Sequence, residues 1–445
     1  MDRTTWIGDR FVSTRGRDVL ADLTRIGARL GASEGERAGH ERLREEFEAL
    51  GLRDVSLEEF PLTEWRRGTS SVELTGGWDD DLDCIALPGS PADTVTGEVV
   101  HLGYGLPEDF AAADLEGKIA VARSDVPDYH DRWLHRREKY FRAVENGAAA
   151  FVFQNHVEGC LPPTGSVGGG TDVVGPLPAV GVSRETGDLL RRYAAGAGGE
   201  DATATVSVDV DVGEGTSQNV TGVLGPDTGE EVLVCAHVDG HDISEGALDN
   251  ASGVATLVEI AAALADLEAD LETAVRFVGF GAEELGLNGS QHYADAHDLS
   301  AVKAVVNCDG AGRARDAAVV TNGFDDLGAA AAETAAAFDR PFAAVPRISN
   351  HSDHWPFVWR GIPGVQVRSE TGDGRGFGHT FADTFDKTDS RAIRTHGVLV
   401  AEYVRRLAEG DRSIARRAPE SIRDELVAEE QDVSMRVADE WPFDD

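Results

Sequence analysis

Five short runs in this chain carry side chains that bind metals or move protons. The apolar stretch Val232-Leu233-Val234-Cys235-Ala236 ends in His237-Val238-Asp239, and Asp249-Asn250-Ala251-Ser252-Gly253 follows twelve residues after His237. Val275-Arg276-Phe277-Val278-Gly279-Phe280 runs into Gly281-Ala282-Glu283-Glu284, and Val305-Val306-Asn307-Cys308 ends in Asp309-Gly310. A glycine-rich loop then delivers His379-Thr380-Phe381-Ala382-Asp383-Thr384. Side chains alternate along a strand, so His237 and Asp239 fall on one side, where the carboxylate can fix the tautomer of the imidazole. Two histidines and several carboxylates make a borderline-hard ligand set, suited to zinc with a shared water or hydroxide. Each residue alone has a plainer reading: His237 as a structural strand end, Asp249 as a helix cap, Glu283-Glu284 as a solvated turn, Asp309 as a turn residue, His379 as a loop histidine. Together, three strand ends and two adjoining loops argue for one site. Asp383 reads as a local cap or turn residue rather than a ligand.

The elements that must position these residues follow from periodicity. From Asn219 to Glu409 near-continuous apolar strands alternate with amphipathic helices, which predicts a mostly parallel sheet covered on both faces. Strands are expected at Glu231–Val238, Ala274–Phe280, Val302–Cys308, Ala317–Thr321 and Pro363–Val367, and helices at Ala251–Leu267, Gly289–His297, Asp326–Phe338 and Ser390–Leu407. In such α/β sheets functional groups gather at the carboxyl ends of strands. Two helices are expected between Gly16 and Leu50, then strands at Val55–Phe60 and Ser71–Leu74, with a turn-rich boundary at Gly76–Asp81. The patterns divide the chain into 1–80, 81–213, 214–410 and 411–445: the second part has a rhythm of short strands of its own, the third the α/β alternation, and the last is an acidic tail, taken as a surface helix plus a loose end.

At 445 residues and 41% hydrophobic content the chain can build two or three cores. Its net charge of −39 argues against nucleic acid or anionic membrane as partners. Lysine occurs only at 118, 139, 303 and 387, and arginine supplies the other cations. A surface so poor in lysine and rich in carboxylates resembles those of halophilic proteins, in which salt screens the repulsion. No run of 18 apolar residues suggests a transmembrane helix, and the N-terminus lacks the basic start and apolar run of a secretory signal; a cytoplasmic location is expected. Cys84, Cys160, Cys235 and Cys308 are scattered and form neither a disulfide framework nor a zinc knuckle.

The five motifs, in this order and spacing, resemble the co-catalytic di-zinc exopeptidases, the group of the bacterial leucyl aminopeptidases, aminopeptidase Y and the glutamate carboxypeptidases. The likeness covers about residues 16–409. The run Gly97-Glu98-Val99-Val100, then Gly103-Tyr104-Gly105, Asp114-Leu115-Glu116-Gly117-Lys118-Ile119, and Ala143 with Gly147-Ala148-Ala149-Ala150, resembles a protease-associated domain, which in relatives helps cover the active site; the resemblance implies that 81–213 is a smaller β-rich domain inserted into one α/β catalytic domain made of 1–80 and 214–410. The resemblance implies two Zn²⁺ per chain, with cobalt or manganese able to occupy similar sites. It makes His237 and Asp309 ligands of one ion, Glu284 and His379 ligands of the other, and Asp249 the bridge. Glu283 becomes general base and then general acid, and Asp239 the carboxylate orienting His237. Peptide substrates are implied, with an aminopeptidase favoured over a carboxypeptidase or dipeptidase on the same fold. A glutaminyl cyclase-like enzyme would use one zinc, and a receptor-like relative that has lost catalysis would lack ligands that are all present here. Ser352-Asp353-His354-Trp355-Pro356-Phe357 matches a loop that lies near the substrate cleft in this group. It cannot make a serine hydrolase: Ser352 and His354 are too close to face each other, and no Gly-x-Ser-x-Gly elbow occurs. Gly279-Phe280-Gly281-Ala282-Glu283-Glu284 lacks the third glycine of a nucleotide fingerprint, and Gly168-Gly169-Gly170 reads as loop.

Overall fold

The computed structural model describes residues 3–76, 80–168, 174–199, 202–370 and 376–444. Parts of the boundary expected at Gly76–Asp81, of the Gly168-Gly169-Gly170 loop and of the glycine-rich loop before His379 lie outside the described residues. The chain divides into two compact units: residues 1–62, 215–378 and 382–422 form the first, and 63–214, 379–381 and 423–445 the second.

In the first unit, Glu231–His237 is the central strand. It runs parallel to Ala274–Phe280 on one side and to Val302–Cys308 on the other. Val302–Cys308 is parallel to Gly364–Ser369, which pairs antiparallel with Ala317–Val320, itself parallel to Phe342–Val345. Val220–Leu224 closes against Ala274–Phe280 in antiparallel sense. The sheet is therefore mixed and mostly parallel, as the doubly apolar strands predict: Val232 through His237 are all buried. Register fixes the site. His237 pairs with Phe280 and Cys235 with Asn307, so the three central strands end level with one another. The segments that leave those ends carry Asp239, Glu283-Glu284 and Asp309.

Helix Ser252–Ala265 is buried at every position from Ser252 to Leu264, the pattern of a core helix rather than a surface one. By length and composition the segment Ala247–Ala265 is apolar enough to cross a membrane; here it packs inside the unit, between helices Arg15–Ile26 and Ser390–Leu407. The approach is close because the facing positions are small. A Cβ on Gly16 would sit 2.8 Å from the Ala255 carbonyl, and one on Gly397 2.6 Å from the Glu259 Cβ.

The second unit has a five-stranded sheet in the order Cys84–Ala86, Ala179–Val182, Ala150–Gln154, Ile119–Arg123 and Val99–His101, parallel except at Cys84–Ala86. Helices Arg136–Glu145 and Arg184–Arg192 accompany it, over a core of Phe110, Tyr140, Phe151 and Phe153. Arg53–Thr75 is one strand where two were expected, and helix Arg3–Phe11 was not foreseen. Nor is the C-terminus loose: it forms helices Pro419–Ala428 and Gln431–Val437, with Leu426, Met435 and Ala438 buried.

Candidate metal centre

His237 ends its strand fully buried, with its ring Nδ1 3.2 Å from both the carbonyl and the Oδ1 of Asp239. Both are acceptors, so Nδ1 carries the proton and Nε2 the lone pair. Nε2 lies 3.3 Å from Asp249 Oδ1 and 3.9 Å from Asp309 Oδ1, yet it has no hydrogen-bond partner among the described residues. A buried ring nitrogen facing two carboxylates without a hydrogen bond is what a cation would reconcile. Charge points the same way. Burial opposes an imidazolium, but Glu283 first, then Asp239, Asp249 and Asp309, hold the His237 pKa well above its ordinary value. One ligand atom each from His237, Glu283 and Asp309 lie within 4.8 Å of one another. These groups fit a divalent metal.

Asp239 does more than orient the imidazole. Its Oδ1 accepts the Glu283 backbone N–H and its Oδ2 that of Glu284, each at 3.1 Å. Both glutamates are thereby hung from the carboxylate that holds His237. Glu283 is half-buried; burial and the neighbouring Glu284, Asp353 and Asp309 push its carboxyl well above the usual range, against the pull of His237. Glu284 is buried, with Oε2 2.8 Å from His241 Nε2. His241 was not singled out in the sequence. It lies beyond the strand, where alternation no longer indicates a face, and its place four residues after His237 was the only hint.

The Asp249 segment is held by its motif neighbours. Asn250 donates to the Cys308 carbonyl at 2.9 Å and accepts the Gly253 N–H at 3.1 Å. A Cβ on Gly253 would fall 2.1 Å from Asn250 Oδ1 and 2.3 Å from the Cys308 carbonyl oxygen, which explains the glycine. Asp383, expected to serve as a local cap or turn residue, instead takes the N–H groups of Leu248 at 2.6 Å and Asp249 at 3.1 Å, across more than 130 positions of sequence. Arg29, fully buried, donates to the carbonyls of Val238, Glu245 and Gly246 and so pins the loop from His237 to Asp249. Burial lowers its pKa to about 10, so it stays charged opposite Asp239 and Asp383. Beneath the glutamates, Glu36 accepts the Ala282 N–H at 2.8 Å and the Ser217 hydroxyl at 2.7 Å.

Asp309 follows its strand and is braced on one oxygen. Ser352 donates to Oδ2 at 2.6 Å and Gln366 at 3.2 Å, which leaves Oδ1 toward His237. Asn307 in turn donates to Ser352 at 2.6 Å. Ser352, Asp353 and His354 are all fully buried, and Ser352 supports a carboxylate rather than acting as a nucleophile. Four of the five expected ligands thus belong to the first unit. His379 groups with the second. There its Nδ1 lies 3.2 Å from the Thr164 carbonyl, its own carbonyl accepts the Thr164 N–H at 2.9 Å, and its φ of 58° is left-handed.

Comparison with known proteins is consistent with this geometry. Residues 219–404 match the model of peptidase family M28, and residues 95–190 match the PA domain. Aminopeptidase YwaD of Bacillus subtilis (strain 168) is 28% identical over 441 residues, covering 95% of this chain and 90% of that protein. Carboxypeptidase Q of Mus musculus is 24% identical over 404 residues, covering 88% and 85%. Among solved structures, BSAP, a zinc aminopeptidase from Bacillus subtilis, aligns with a TM-score of 0.70 at 25% identity, over 90% of this chain and 96% of that one.

Proposed function

We propose that this chain, whose residues 219–404 match the model of peptidase family M28 and whose residues 95–190 match the PA domain, is a member of that family and a di-zinc aminopeptidase removing N-terminal residues from peptides. That it is a metallo-exopeptidase follows from the family; the count of two ions, the ligand roles and the preference for a free amine are our reading. His237 and Asp309 hold one ion, Glu284 and His379 the other, and Asp249 is shared. His241, against Glu284, is a further candidate for the second ion. The observation that carries the proposal is the Asp239 carboxylate, which binds the His237 ring and both glutamate N–H groups at once. One carboxylate sets the ligand imidazole and the Glu283 base in a common frame.

Zinc, when bound, supplies Lewis acidity and makes water a stronger acid. The residues supply the rest. The Glu283 carboxylate takes a proton from the attacking water as the new C–O bond forms. It returns that proton to the amine nitrogen as the C–N bond breaks, so the group ends as it began. Its raised proton affinity suits a group that must hold a proton between two steps.

The alternative, a carboxypeptidase or dipeptidase, is favoured by the likeness to carboxypeptidase Q. A panel of aminoacyl p-nitroanilides, their N-acetylated forms, dipeptides and C-terminally free peptides separates the readings. Cleavage that needs a free amine, is abolished by 1,10-phenanthroline and is restored by zinc supports the aminopeptidase. Cleavage of N-blocked, C-terminally free substrates overturns it. We propose further that residues 81–213 form the insertion, that the chain works in the cytoplasm at high salt, and that nucleic acid and membranes are not among its partners.

A further inference from the structure

Beyond the strand Ala274–Phe280, each of the next four backbone N–H groups is taken by a side chain. The Gly281 N–H meets Asn219 Oδ1 at 3.2 Å, the Ala282 N–H meets Glu36 Oε1 at 2.8 Å, and those of Glu283 and Glu284 meet Asp239 at 3.1 Å. The turn needs such support. Ala282 has a φ of 53°, in the left-handed region that alanine rarely occupies. A Cβ on Gly281 would fall 2.3 Å from Ser217 Oγ and 2.7 Å from Glu36 Oε1, so the glycine lets the Glu36 carboxyl come in against the backbone.

Glu36 reaches this turn from a distant segment. It stands in the first turn of helix Glu34–Ala49, three residues after the N-cap Ser33. The plain reading of a glutamate there is a capping box, whose carboxyl turns back to the start of its own helix. Oε2 does so, accepting the Ala32 N–H at 2.7 Å. Oε1 does not. It crosses 246 positions to Ala282 and also takes the Ser217 hydroxyl at 2.7 Å. The residue is 1% exposed, and burial, then the charge of Asp239, push its carboxyl up to about 8. A cap facing solvent avoids that cost, so the helix alone does not explain a buried acid here. The Ala282 contact does.

We propose that Glu36 is a positioning residue for the reaction: through the Ala282 N–H it sets the direction in which the next residue, Glu283, presents its carboxyl. Asp239 holds Glu283 and Glu284, and Glu36 fixes the turn one residue earlier. Without Oε1, a buried N–H is left unpaired and the left-handed Ala282 relaxes, which turns the base away while ligands on other segments keep their places. The inference rests on the reading of Glu283 as the base.

The test is steady-state hydrolysis of leucine p-nitroanilide by the full chain, read beside zinc content and thermal midpoint. Glu36→Met, of similar length but without an acceptor, loses about 10–100-fold in kcat, the effect of a displacement of about 1 Å, with KM and zinc content unchanged. Glu36→Gln recovers most of that loss, because its amide oxygen can take the Ala282 N–H and the Ser217 hydroxyl while its NH₂ turns to Ala32. Ser33→Ala removes the acceptor of the Glu36 N–H, so it lowers the midpoint and leaves kcat as it was. Should Glu36→Met not fold, Glu36→Asp carries the test: it keeps an acid at the helix start, is one methylene too short for Ala282, and shows the same loss. Wild-type kcat in Glu36→Met or Glu36→Asp, no recovery in Glu36→Gln, or an equal loss in Ser33→Ala overturns the proposal. Glu283→Gln, measured alongside, separates the two readings. If it keeps full turnover the base assignment fails; if it is inactive while Glu36→Met is unimpaired, only the role of Glu36 fails.

Discussion

Asp239 accepts from the ring of His237 at 3.2 Å with the same oxygen that takes the Glu283 N–H at 3.1 Å. Its other oxygen takes the Glu284 N–H at 3.1 Å. The carboxylate has no donor of its own, so it can only be an acceptor for all three. Asp239→Asn puts an N–H₂ where one of those donors points, and either the imidazole turns or a glutamate N–H is left unpaired. The expected result is a folded protein whose zinc affinity falls by about 10–100-fold, measured by competition with a chromogenic chelator. Unchanged affinity would mean that Asp239 serves the backbone alone.

Glu283 and Glu284 diverge although adjacent. Glu284 meets His241, whereas Glu283 faces His237 and Asp309. Glu283→Gln keeps the shape and removes the proton carrier. It is expected to keep its zinc and to lose about 10²–10⁴ in kcat, read from steady-state hydrolysis beside metal content. Loss of metal together with turnover would instead make Glu283 a ligand.

Periodicity revealed most of the frame, because burial on both faces leaves uninterrupted apolar runs. Strands Ala274–Phe280 and Val302–Cys308 and helix Ser390–Leu407 begin and end where the pattern does. Phe342–Val345 escaped because only Phe342 is buried and the next two residues face solvent. Within the site, residues at or just beyond strand ends were legible, since strand geometry aims them. His241, Arg29 and the bracing role of Ser352 were not. Their meaning comes from partners brought in by the fold: Arg29 meets Gly246 across 217 positions, and no local signal encodes that contact.

His396 offers a pH test away from the metal centre. Its Nδ1 accepts the Gly312 N–H at 3.3 Å, which requires that nitrogen unprotonated, and burial lowers its pKa to about 4. The unfolded chain protonates the residue near its ordinary value of about 6.5. The neutral imidazole therefore contributes stability that is whole above about pH 6.5 and is lost as pH falls toward 4. For the chelated protein, denaturant midpoints of wild type and His396→Gln should converge across that window. The two slopes should differ by at most about 1.4 kcal/mol per pH unit, the value for one proton. Parallel pH profiles would show that His396 is already charged in the fold.

The net charge of −39 sets a condition on stability itself. Many arginines are already committed to local pairs, such as Arg44 with Glu41 and Arg391 with Asp389, so the remaining carboxylates repel one another. Solvent-exposed pairs contribute little individually, about 0–1 kcal/mol, and cannot offset a surplus spread over the whole surface. The Debye length shrinks from about 10 Å at 0.1 M salt to about 3 Å at 1 M, which removes repulsion between all but the nearest charges. The thermal midpoint is therefore expected to climb steeply with KCl over that range and to respond far less to sucrose at matched water activity. If the midpoint is insensitive to KCl, or if sucrose raises it equally, the acidic surface is not a salt-dependent one.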